Sequence, residues 1–125
     1  MLVIIGTLLV GLVALEHLSF LYLEMFAWTT PRVRRIFGTT ESFAEESRVL
    51  AANQGLYNGF LAAGLLWGLL HPQPEVGLQL QLFFLLCVLV AALYGGLTAQ
   101  RSILLVQGGP ALLALLLVLL RFVGA

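Results

Sequence analysis

The sequence predicts an all-α integral membrane protein, a four-helix bundle forming one transmembrane domain over residues 1–125. Three observations carry that expectation. Apolar residues make up 61% of the chain and charged residues 10%, with a mean hydropathy of +1.05. A soluble domain has about 45–50% and about 25% respectively, and so few charges could not cover a soluble surface. The apolar residues fall into four runs, at about 2–28, 49–70, 77–99 and 102–123, each near the roughly 20 residues that cross a hydrocarbon core. The connections between the runs leave little chain for a soluble domain.

The first run has no basic segment ahead of it, is too long for a secretion signal, and is interrupted by Glu16-His17 where cleavage would fall. It therefore reads as a retained transmembrane helix. Thr29-Thr30-Pro31 ends it, because Pro31 biases Thr30 away from helical geometry. Arg32, Arg34 and Arg35 follow as a solvated charge run. Ser42-Phe43-Ala44-Glu45 has capping-box spacing, so the second helix is expected to start near Ser42, with Glu45, Glu46 and Arg48 on a wet extension ahead of the membrane.

His71-Pro72-Gln73-Pro74-Glu75-Val76-Gly77 is a short turn without Lys or Arg, and Gln100-Arg101-Ser102 is a tight one. The first and third connections hold Arg32, Arg34, Arg35, Arg48 and Arg101. The positive-inside rule places them in the cytoplasm of an inner membrane, with both termini outside. Trp28 and Trp67 lie near opposite ends of their spans, as interfacial anchors do. Gly55, Gly59, Gly64, Gly95 and Gly96 read as close-packing positions between helices. Pro110 removes a hydrogen bond to the Val106 carbonyl, so the fourth helix should kink or start late.

Net charge is zero and no basic stripe is present, which excludes nucleic acid as a partner. The single cysteine, Cys87, permits no disulfide within one chain. The polar residues inside the spans carry the functional signal. An ionised side chain at mid-membrane costs about 2.5–3.5 kcal/mol even on insertion scales, yet the first span holds Glu16, His17 and Glu24. At about 100° per residue, His17 and Glu24 fall about 20° apart and all three fit on one face about 100° wide. On the second span, Asn53, Gln54, Tyr57 and Asn58 share an arc of about 140°. Such stripes must face other helices rather than lipid.

The two spans are sequential and so expected to be antiparallel. With Trp28 level with Val49, Glu24 comes level with Asn53 and His17 lies near Asn58. This alignment predicts a polar cavity open to the cytoplasmic side, with Tyr94, Thr98, Gln100, Arg101 and Gln107 in the same half. Arg101 could neutralise Glu24 or meet an anionic group. The outer half of every span reads as apolar, which favours a pocket open on one side. Carboxyl and imidazole groups held away from water suit general acid–base catalysis, with amides and a phenol orienting a substrate. The same set suits proton-coupled transport. Neighbouring side chains at 16 and 17 diverge by about 100°, and no HExxH pattern is present. No metal and no cofactor are expected.

The segments Leu15-Glu16-His17, Glu24-Met25-Phe26-Ala27-Trp28-Thr29-Thr30-Pro31 and Ala52-Asn53-Gln54-Gly55-Leu56-Tyr57-Asn58-Gly59-Phe60-Leu61-Ala62-Ala63-Gly64 resemble the small bacterial membrane family catalogued as domain of unknown function 1304. The resemblance covers nearly the whole chain and implies a four-helix integral membrane protein. It also implies functional roles for Glu16, His17, Glu24, Asn53, Gln54, Tyr57 and Asn58, without supplying a reaction.

The expected function is a membrane enzyme acting by acid–base chemistry on a lipophilic small molecule, through isomerisation, epoxide opening or cyclisation. Glu16 and Glu24 would be the acid–base pair and His17 their modulator. Asn53, Gln54, Tyr57, Asn58, Tyr94 and Arg101 would bind the substrate. The alternative is a proton-coupled small-molecule transporter working as a dimer, and a third reading is a ligand-binding or scaffolding subunit. The expected partners are the lipid bilayer and the lipophilic molecule, with homo-oligomerisation left open.

Overall fold

The computed structural model describes residues 1–124, and every regular element among them is helical. In chain order these are α1 (Leu2–Phe26), α2 (Pro31–Phe37), α3 (Glu41–Leu70), α4 (Pro74–Thr98), α5 (Ser102–Val106) and α6 (Gly108–Gly124). Helix α1, helix α4 and the nearly continuous segment Ser102–Gly124 are each long and apolar enough to cross a membrane. With Ser102–Gly124 taken as one interrupted helix, the described residues form five helices, not the four expected.

The additional helix is α2, in the stretch expected to be a loop. Thr30 caps it: its hydroxyl donates to the Ala27 carbonyl (2.7 Å) and accepts from the Val33 N–H (3.4 Å). Pro31 occupies the first turn, where its missing N–H costs nothing. Gly38 closes the other end in the left-handed conformation (φ 66°), a backbone state that favours glycine. Helix α3 is capped by Thr40, whose hydroxyl accepts from the Phe43 N–H (3.2 Å), so the expected start at Ser42 lies slightly inside the helix. The late start expected near Pro110 is observed, with the backbone interrupted at Gln107 and α6 beginning at Gly108.

The chain divides into two compact units, one of residues 1–16 and 61–125 and one of residues 17–60. The first holds the apolar core: Val10, Val13 and Ala14 of α1, Leu65 of α3, Leu78, Leu85 and Val88 of α4, and Ala111, Ala114 and Val118 of α6. Small residues let these helices approach closely. A Cβ on Gly77 would lie 2.6 Å from the Gly68 carbonyl oxygen, so α3 and α4 meet backbone to backbone there. Outside this core, many large apolar side chains of α1, α4 and α6 are exposed, among them Leu8, Leu12, Leu86, Val90, Leu116 and Leu120. Lipid is the solvent in which such a surface is stable.

The second unit is the remainder of α1, then α2, then the start of α3. Trp28 organises its turn. The Trp28 indole N–H donates to the Ser47 hydroxyl (3.1 Å), and its ring lies against Phe37 with centroids 5.0 Å apart. The part-buried Arg34 approaches the exposed Glu41 at 3.8 Å, and an ion pair with one partner in solvent is worth about 0–1 kcal/mol.

Candidate functional site

Within the second unit, α1 and the start of α3 pack through glycine. A Cβ on Gly55 would fall 3.0 Å from Glu24 Cβ and 3.1 Å from the Leu21 carbonyl oxygen, and a Cβ on Gly59 would strike the Leu21 side chain. The absence of side chains at these positions brings the two backbones close enough for short polar groups to touch. Asn58 Nδ2 donates to Glu24 Oε2 at 2.9 Å. The antiparallel pairing expected of these segments is thus observed. Its register differs from the alignment of Trp28 with Val49, because Glu24 meets Asn58 rather than Asn53.

Glu24 is buried, at 8% exposure, and His17 more so, at 1%. The His17 ring stands edge-on to Phe20, with centroids 5.6 Å apart. Glu16 precedes His17 on the same helix and is half-buried. Its Oε2 is sealed from solvent and has no hydrogen-bond partner among the described residues.

Asn53, Gln54 and Tyr57, the other expected site residues of α3, do not line an interior wall. Asn53 and Gln54 are exposed, and Tyr57 is 60% exposed beside Phe60. Asn53 Nδ2 turns back to the Val49 carbonyl of its own helix (2.9 Å). Around α3, Asn58 lies about 140° from Asn53 and about 100° from Tyr57, so the wide polar arc of α3 is split between interior and surface. Tyr94 and Arg101 belong to the first unit, where both are exposed. The Glu24 partner is an amide, not the guanidinium of Arg101.

One buried polar residue escaped the sequence reading. Gln81 of α4 is 5% exposed and donates from Nε2 to the Gly68 carbonyl (3.0 Å). That carbonyl sits four residues before Pro72, which has no N–H to offer. The Gln81 amide takes the place of the missing donor, and its own Oε1 is left without a partner among the described residues. The expectation that the outer half of every span is apolar does not hold. A proline four residues beyond a helical glycine was the signal that could have located Gln81. Among the described residues no three His, Cys, Asp or Glu side chains converge as metal ligands would.

Three helices suited to a bilayer, one of them carrying the buried Glu24 that Asn58 of α3 holds, are the marks of a small helical membrane protein. The chain belongs to the family of proteins of unknown function designated DUF1304, whose model matches residues 11–119. It is similar to the uncharacterized protein YpaA of Lactococcus lactis subsp. lactis (strain IL1403). The two are 38% identical over 107 residues, covering 84% of this chain and 88% of that protein. No solved structure matches.

Proposed function

We propose that this protein is a four-span inner-membrane protein in which Glu24, held by Asn58 and accompanied on α1 by Glu16 and His17, performs acid–base chemistry on a lipophilic small molecule. The observation that carries the reading is the partner of Glu24. A buried carboxyl group hydrogen-bonded to a neutral amide, rather than neutralised by a cation, can take up and release a proton without breaking an ion pair. Asn58 positions that carboxyl group. Isomerisation, epoxide opening or cyclisation each need an acid and a base and no external oxidant or reductant. In this reading α3 is the additional span, crossing with its uncharged part from Val49 to Leu70, while α2 lies at the cytoplasmic face and both termini lie outside.

The test compares wild type with Glu24→Gln and Glu16→Gln. Compounds co-purifying with each are extracted and identified by mass spectrometry. A lipophilic compound present with all three, chemically altered only by the wild type, supports an enzyme. No compound with any of the three counts against the reading. Topology is tested in a Cys87→Ser background, by labelling single cysteines placed at Thr39 and Gln73. Labelling of the two from the same side would refute four spans.

A second reading, a proton-coupled transporter working as a dimer, is favoured by the exposure of Asn53, Gln54 and Tyr57. In a bilayer these side chains need a polar partner, and a second copy could supply one. Proteoliposomes loaded with a pH-sensitive dye distinguish the two. Substrate-driven proton flux lost in Glu24→Gln would establish transport.

A further inference from the structure

Within the second unit α3 has two faces of different character. One is taken, since Gly55 and Gly59 receive Leu21 of α1. The other lies about 180° around the helix and is about 120° wide. It carries Leu50, Asn53, Gln54, Tyr57 and Phe60, all of them exposed. Asn53 gives one N–H to the Val49 carbonyl. Its amide oxygen, the Gln54 amide and the Tyr57 hydroxyl have no hydrogen-bond partner among the described residues.

In the four-span reading α3 enters the bilayer at Val49. At about 1.5 Å per residue, Asn53 then lies about 6 Å and Tyr57 about 12 Å along the span. Hydrocarbon offers these groups neither donor nor acceptor. We propose that this face of α3 binds the same face of a second copy of the chain, which makes the protein a parallel, two-fold homodimer. The pairing rests on α3 lying in hydrocarbon and not on chemistry at Glu24, so an enzyme and a transporter both accommodate it.

The chemistry of the face selects a second copy. All copies insert with one orientation, so a two-fold axis between them runs along the membrane normal and sets each residue opposite itself. A primary amide both donates and accepts, and so does a phenol. Identical groups that meet across the axis therefore satisfy one another. Like charges would repel there, and residues 49–60 carry none. Spacing selects the same arrangement. Leu50, Asn53, Tyr57 and Phe60 follow one another at intervals of three, four and three. That alternation is the seam of a left-handed helix pair, the commoner hand between membrane helices. A buried asparagine in such a seam fixes register and the number of partners.

The test uses the full-length protein in a Cys87→Ser background, labelled with donor or acceptor dye at Thr39→Cys and reconstituted in phosphatidylcholine liposomes over a range of lipid-to-protein ratios. Energy transfer between copies should fall with dilution along a dimer isotherm. Asn53→Leu should weaken association about seven-fold, the loss of two reciprocal bonds of the strength usual between membrane helices. Val90→Ala, at an exposed position of α4, should leave it unchanged. In unlabelled protein with the amides intact, Leu50→Cys and Phe60→Cys should each form a disulfide to the same residue of the second copy on copper-catalysed oxidation, and Val90→Cys should not.

A wild type that is monomeric at every ratio overturns the proposal, whatever else covers the face. So does a dimer that Asn53→Leu leaves unchanged, or equal cross-linking at Leu50, Phe60 and Val90. If Asn53→Leu does not fold, the cross-linking pattern decides alone. Monomers in which Thr39 and Gln73 are labelled from opposite sides overturn the pairing and leave the four-span reading standing, whereas labelling from one side overturns both.

Discussion

Gly55→Ala tests whether the contact between α1 and α3 positions Glu24. An alanine Cβ there would lie 2.8 Å from Met25 Cγ, 3.0 Å from Glu24 Cβ and 3.1 Å from the Leu21 carbonyl oxygen. The Met25 side chain can rotate away, but the other two atoms move only with the α1 backbone. The helices must separate by several tenths of an ångström, and overpacking of this kind costs about 1–3 kcal/mol. Alanine also gains about 0.8–1 kcal/mol over glycine in helix propensity, which masks part of the loss. Gly11→Ala on α1 is the control, since nothing lies within 4 Å of its added Cβ. Propensity then cancels between the two variants, and their difference isolates the steric cost. Unfolding free energies from SDS titration in mixed micelles, followed by far-ultraviolet circular dichroism, should place Gly55→Ala below Gly11→Ala by about 1–3 kcal/mol. Variants within about 0.5 kcal/mol of each other, the scatter of neutral surface changes, would refute the close contact and the register built on it.

Three further outcomes follow from the same geometry. Glu24→Gln retains an oxygen that can accept from Asn58 and should unfold within about 0.5 kcal/mol of wild type, whereas Asn58→Leu strands the carboxyl group and should cost about 0.6–2 kcal/mol in the same titration. Trp28→Phe and Ser47→Ala should each cost about 0.5–1.5 kcal/mol, and the double variant should cost less than the sum, because both remove one hydrogen bond; strict additivity would show that the bond is absent. Gln81→Leu should cost about 1 kcal/mol by orphaning the Gly68 carbonyl, and adding Pro72→Ala, which restores an N–H at that position, should recover part of the loss.

The helices legible in the sequence were those whose apolar length or capping residues announce them. Helix α2 was missed because Pro31–Phe37 is only seven residues long and three of them are arginine. Its framing by Thr30-Pro31 and Gly38 was the available signal, since proline at the start and glycine just past the end is the asymmetry of helix termini. The facing of α1 and the start of α3 was legible from the polar stripes. Their register was not, because a helical wheel fixes direction but not how far two helices slide, and here Gly55 and Gly59 decide that by receiving Leu21. The pairing of Glu24 with Asn58 follows from that slide, whereas the outward turn of Asn53 and Tyr57 follows from their angular positions on α3, about 140° and about 100° from Asn58. Gln81 stayed hidden because it answers a backbone deficit at Pro72, and no stripe on its own helix reveals it.

The bond between Gln81 and the Gly68 carbonyl also bears on how the chain enters a bilayer. An amide on one helix and an orphaned carbonyl on another are each costly to carry into hydrocarbon alone. Joined, they satisfy one another, and only 13 residues separate them. Helix α3 is not among the three helices apolar enough to cross by length and composition. In the four-span reading, a hairpin of α3 and α4 turning at His71–Gln73 would enter with this pair already satisfied, the more apolar α4 offsetting the cost of the more polar α3.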